Sequence, residues 1–114
     1  MEIDRTARRV IGALLEKKWS TPEQYPLTLN ALVLACNQKS NRDPEMHLDD
    51  FLVEGCLFQL RQAELVSVVE RDVGRTSRYA ERMSEKLDLS RQQQAIVAEL
   101  LLRGPQTTNE LAID

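Results

Sequence analysis

The segment LVSVVE at 65–70 most constrains what this chain can fold into. It is β-branched and strand-like, in a sequence whose preceding segments carry helical spacing. RDVGRT (71–76) then supplies a turn centred on Gly74, and SRYAE (77–81) reads as the return strand of a hairpin. The fold must therefore place one small β-hairpin after a set of helices.

Those helices are legible from their apolar periodicity. Asp4 caps a first helix whose Ala7, Val10, Ile11, Leu14 and Leu15 follow the i, i+3, i+4 pattern of a buried stripe. Lys17 and Lys18 suit the negative end of its dipole. WSTPEQYPL (19–27) carries two prolines and breaks the helix. Thr28 caps a short second helix over 29–38, with Leu29, Leu32, Val33 and Cys36 on one face. KSNRDPEMH (39–47) has turn composition, and Pro44 disfavours helix at Asp43. A third helix opens at His47 or Asp49 and runs to about Glu64, with Val53, Leu57 and Leu60 as its clearest stripe. Helix, helix, helix, hairpin is the winged helix-turn-helix plan, so residues 1–82 are expected to form a mainly α domain with a small β-hairpin.

A second unit is expected to follow a charged connector at 83–89. Near Ser90 a new helix begins, and its Ile96, Val97, Leu100 and Leu101 repeat the spacing of Val10, Ile11, Leu14 and Leu15. TTNEL (107–111) then resembles TLNAL (28–32). The order helix, turn, capped helix thus occurs twice, and 90–114 reads as the start of a second, truncated winged-helix unit. On this reading the chain is part of a longer tandem protein. Chance similarity of short helical patterns is the competing explanation.

These residues also carry a family resemblance. TPEQYPLTLNALVLACNQKSNRDP (21–44) closely resembles the signature of the YceH-like family of uncharacterised bacterial proteins, and ARRVIGALLEKK (7–18) and LRQAELV (60–66) fit it too. The resemblance covers essentially the whole chain. It implies two winged-helix domains in tandem and brings no established activity, substrate or catalytic residue. Fold alone does not fix function.

Charge and composition narrow the function classes. A net charge of -3 argues against a general polyanion binder, so any nucleic-acid contact must come from a local basic patch. No apolar run approaches the roughly 20 residues needed to span a bilayer. The start, MEIDRTARR, lacks the apolar stretch of a signal peptide, and a cytoplasmic location without membrane contact is expected. Cys36 and Cys56 are too few for a disulfide framework, and with His47 they lack the spacing of a zinc site. Buried, unreactive thiols are expected, with no metal and no cofactor. The glycines are scattered rather than gathered into a phosphate loop, and no nucleophile–base set is evident, so no catalysis is expected.

Two sets of residues remain as candidate sites. Lys39, Asn41 and Arg42 lie in the turn before the third helix, and Arg71, Arg75 and Arg78 lie in or near the wing, with Arg82 just beyond it. Together they would hold the backbone or base edges of double-stranded DNA, as expected of a transcriptional regulator. Structural readings compete: Asn37 and Asn41 can tie off the turn, Arg42 can pair with an acid such as Asp43 or Glu45, and the wing can simply be solvated. The second set is Phe51 and Phe58, seven residues apart on the third helix beside Asp50, Glu54 and Arg61. Either that helix is buried on two sides, or these rings form a surface for a protein partner or a homodimer. The alternative function is accordingly a protein-interaction module.

Overall fold

The computed structural model describes residues 3–70 and 76–104. Helix α1 (Arg5–Ser20) starts at Asp4, whose Oδ1 accepts the Ala7 amide at 2.8 Å. Helix α2 (Leu29–Cys36) starts at Thr28, whose Oγ1 accepts from the Ala31 amide. Helix α3 (Asp50–Gln62) starts at Asp49, which accepts from the Leu52 amide. All three caps answer the same need: the first amides of a helix have no partner within it.

Three strands form an antiparallel sheet. β2 (Val66–Val69) and β3 (Arg78–Glu81) pair in the register Val66 with Glu81 and Val69 with Arg78. A strand that no sequence pattern announces, β1 (Leu27–Thr28), pairs on the other side of β3 and gives the order β1-β3-β2. The resulting order α1, β1, α2, α3, β2, β3 is that of a winged helix. Arg71, Gly74 and Arg75 of the expected wing tip lie outside the described residues.

Helix α1 is the centre of the core. Val10, Ile11, Leu14 and Leu15 are fully buried, as their spacing predicts, but so are Arg9 and Ala13, and Gly12 is buried with them. The helix packs against α2, α3 and β3, and also against α5 (Arg91–Arg103). Gly12 makes the last contact possible: a Cβ there would stand 2.9 Å from the Leu101 Cβ and 3.0 Å from Leu102 Cδ2.

The segment expected as a connector contains a helical turn, α4 (Met83–Lys86), with Met83 and Ser84 buried. Ser90 then starts α5 with a capping box, its Oγ accepting the Gln93 amide while the Gln93 side chain accepts the Ser90 amide. The buried face of α5 is Gln94, Ala98 and Leu102, and Leu102 joins the core that α1 organises. Ile96 is exposed although Val10, its counterpart in the internal similarity, is buried. TTNEL lies outside the described residues. Among the described residues, no helix is long and apolar enough to cross a membrane.

Candidate functional site

The turn between α2 and α3 is held from within. Asn37 clamps it at both ends, its Nδ2 donating to the Leu48 carbonyl and its Oδ1 accepting from the Leu48 amide, each at 2.8 Å. Gln38 accepts from Lys17 Nζ and donates to Ser40. Arg42 departs from its expected role as a phosphate contact. Its side chain is fully buried and forms a two-pronged pair with Glu16, Nη2 to Oε1 at 2.7 Å and Nη1 to Oε2 at 3.2 Å. Its Nε donates to the Ala35 carbonyl and its Nη1 also to that of Asn41. The partner is therefore Glu16 on α1 rather than Asp43 or Glu45, and Arg42 leaves the nucleic-acid set. Lys39 and Asn41 remain exposed, Asn41 with φ 59°.

The wing arginines divide in the same way. Arg78 sits on β3 and donates to the carbonyls of Gln24 and Pro26, the latter at 3.0 Å, so its guanidinium is engaged by backbone. Arg82 pairs with Glu85 at 3.3 Å. Arg71 and Arg75 lie outside the described residues. At the base of β3, Glu81 is buried, accepts from Lys18 Nζ at 2.9 Å and takes both donors of Ser84. Lys18 also donates to Gln94, which accepts from Trp19 Nε1. This network fastens the sheet to α1, α4 and α5.

The exposed face of α3 has another character. Val53, Cys56, Leu57 and Leu60 point into the core. Leu52, next to Val53, is 49% exposed. Phe51 is 81% exposed and Phe58 62%, so burial on two sides does not occur among the described residues. Between the two rings Gly55 leaves a notch, with nothing within 4 Å of where a Cβ would stand. Asp49, Asp50 and Glu54 surround the rings with exposed carboxylates, and Arg61 stands one turn beyond. An open cleft of about 540 Å³ runs from Asp4 and Thr6 to Phe51, Gly55 and Gln59. An exposed aromatic pair is costly to leave in water, which favours a covering surface.

The remaining chemistry is quiet. Cys36 is buried, and burial pushes its thiol up to about 12, in line with the expected inert thiol. Burial also raises Cys56. His47 is exposed beside Glu45. Arg9, which is not among the sequence-derived candidates, is 1% exposed. Its guanidinium donates to the carbonyls of Cys36, Pro44 and Leu102, joining α2, the turn and α5. The available signal was its spacing: Gly12 and Ala13 at i+3 and i+4 mark a second, closely packed face of α1.

Comparison with known proteins agrees with the resemblance carried by 21–44. Residues 3–114 match the model of a family described as "Protein of unknown function, DUF480". A "UPF0502 protein" of Pelobacter propionicus is 50% identical over 111 residues, which cover 97% of this chain and 50% of that protein. One from Geobacter sulfurreducens is 53% identical over 103 residues, covering 90% of this chain and 47% of the relative. One from Solibacter usitatus is 46% identical over 110 residues, covering 96% and 53%. The chain thus spans about half the length of the curated relatives it matches.

Proposed function

We propose that this chain, which belongs to the family described as a protein of unknown function, DUF480, is a non-enzymatic protein-interaction module built on a winged helix. The observation that carries this reading is the exposed face of α3, where Phe51 and Phe58 stand in solvent among Asp49, Asp50 and Glu54. A surface reading DNA through that helix would offer Arg, Lys, Asn or Gln to bases and phosphates. Carboxylates beside the rings repel phosphate instead. The complementary partner is a protein with apolar pockets for two rings and a basic rim, the usual arrangement of an aromatic anchor with polar edges.

The alternative is a DNA-binding regulator. Its remaining support among the described residues is Lys39 and Asn41, exposed beside the start of α3. Two phosphate contacts give weak, salt-sensitive binding. The tandem arrangement of two winged-helix units suits either role and rests on the internal similarity of the sequence.

Two measurements on the full-length protein separate the readings. A photo-crosslinking residue at Phe58 is expected to give discrete protein adducts in cells, and one at exposed Gln92 is not. Fluorescence anisotropy with mixed-sequence duplex at low salt is expected to show no binding dependent on Lys39. Adducts no different from the Gln92 control, together with duplex binding lost in Lys39→Ala, would overturn the interaction reading.

A further inference from the structure

A second region of the surface differs in chemistry from the exposed face of α3. A cavity of about 290 Å³ lies where the first turns of α1, the 43–46 segment and the end of α5 meet. Arg5, Arg8, Arg9 and Arg103 line it, against one carboxylate among the described residues, that of Asp43. Arg103 pairs with Glu99 at 3.0 Å, while Arg5 and Arg8 are exposed and make no ion pair among the described residues. Gly104 forms part of the wall with φ 80°, a backbone conformation that keeps the wall free of a side chain.

Arg9, one of the residues that line this cavity, carries an unmet demand. It is buried, its three acceptors are neutral carbonyls, and no carboxylate among the described residues pairs with it. Its Nε is buried with no hydrogen-bond partner among the described residues. Buried polar groups without partners are uncommon in native proteins and require an explanation. Burial, and then the neighbouring Arg42, pulls this guanidinium below its usual range, which is the signature of a cation short of negative charge.

The geometry points to a binding site for a small phosphate monoester in this cavity, with Arg5 and Arg8 contacting the phosphate oxygens and Arg9 supplying buried positive charge behind them. Planar guanidinium forks match phosphate oxygens in pairs. A phosphate monoester carries roughly two negative charges near neutral pH, which suits several arginines facing one acid better than a single carboxylate does. The volume is near the lower end for small-molecule sites, which leaves room for a phosphate and a few further heavy atoms.

Isothermal titration of the full-length protein with inorganic phosphate and with glycerol 3-phosphate, at constant ionic strength, tests this. Saturable binding is expected, tighter for glycerol 3-phosphate. R5Q/R8Q removes two exposed cations without touching the core and is expected to weaken binding at least about tenfold. K39Q/K86Q makes the same change in net charge elsewhere and is expected to leave binding unchanged. Glu99→Gln frees Arg103 and is expected to tighten binding. Absence of saturable heat, or equal affinity in wild type and R5Q/R8Q, would overturn the site. Binding of duplex DNA that depends on Arg5 and Arg8 without binding of either small phosphate would overturn the small-ligand assignment.

Discussion

Helices α1 and α3 differ in the opposite sense from their composition. α1 carries five arginines and lysines in its first five and last four residues, and α3 carries two phenylalanines, yet α1 is the interior helix. It is packed by neighbours on several sides, so even a guanidinium and a glycine of α1 are buried. α3 buries one stripe and leaves two aromatic rings in water. Packing spends α1 on holding the fold and leaves α3 with a face to offer. Single substitutions on the two helices should therefore have effects of different size, and some of opposite sign.

The largest effect is expected at Arg9. Arg9→Ala would take the side-chain donor from the Cys36 and Pro44 carbonyls and one of two donors from the Leu102 carbonyl, which keeps the Asp43 amide, and would open a space in the core. Unsatisfied buried groups cost about 1–3 kcal/mol each, so a loss of roughly 3 kcal/mol or more is expected in urea denaturation. A loss below about 1 kcal/mol would mean that α5 is not held by this side chain.

Alkali should weaken the same interior. Cys36 has its ordinary value near 9 when unfolded and is pushed up to about 12 when folded, with burial as the main cause. The folded state therefore keeps a proton that the unfolded chain loses. Its contribution is fully present below about pH 9 and is lost as pH rises toward about 12. Buried Cys56 and half-buried Tyr25 shift in the same direction. Thermal unfolding followed from about pH 8 to about pH 10.5 should show a falling midpoint, and Cys36→Ala should flatten that fall.

The two glycines provide a matched pair. In an exposed helix, Gly→Ala gains about 1 kcal/mol from helix propensity. At Gly12 the added carbon would meet the Leu101 Cβ at 2.9 Å, an atom tied to the backbone of α5 that cannot swing away. Overpacking costs about 1–3 kcal/mol, so Gly12→Ala is expected to destabilise by about 1 kcal/mol net. At Gly55 nothing stands in the way, and Gly55→Ala is expected to stabilise by up to about 1 kcal/mol. Equal signs in chemical denaturation would erase the contrast between the helices.

Much of this contrast was legible in the sequence, but unevenly. The caps Asp4, Thr28 and Ser90 and the stripe of α1 are local signals, and local signals survive into the structure. That Phe51 and Phe58 fall outside the apolar stripe of α3 was also readable, but not whether a second surface buries them. What escaped depends on contacts between distant segments. The two-residue strand β1 exists only because β3 pairs with it. Arg42 looked like a surface cation because its partner, Glu16, lies on another helix 26 residues away. Arg9 looked like one more basic residue because the three carbonyls it binds lie 27, 35 and 93 residues along the chain. Helix α4 was hidden by its charge, with only Met83 and Ser84 turned inward.

The smallest stability effect, and the most informative for function, is expected at Phe58. Its ring is mostly in water, so Phe58→Asp removes little packing from the isolated chain. A change within about 0.5 kcal/mol is expected in urea denaturation, with a slight penalty from placing a negative charge in the C-terminal half of α3. In cells the same variant should lose the adducts formed by a crosslinking residue placed at neighbouring Phe51. A protein that keeps its stability and loses its adducts uses this face for binding. One that loses about 2 kcal/mol instead holds Phe58 inside a packed core, and the comparison between α1 and α3 fails at its central point.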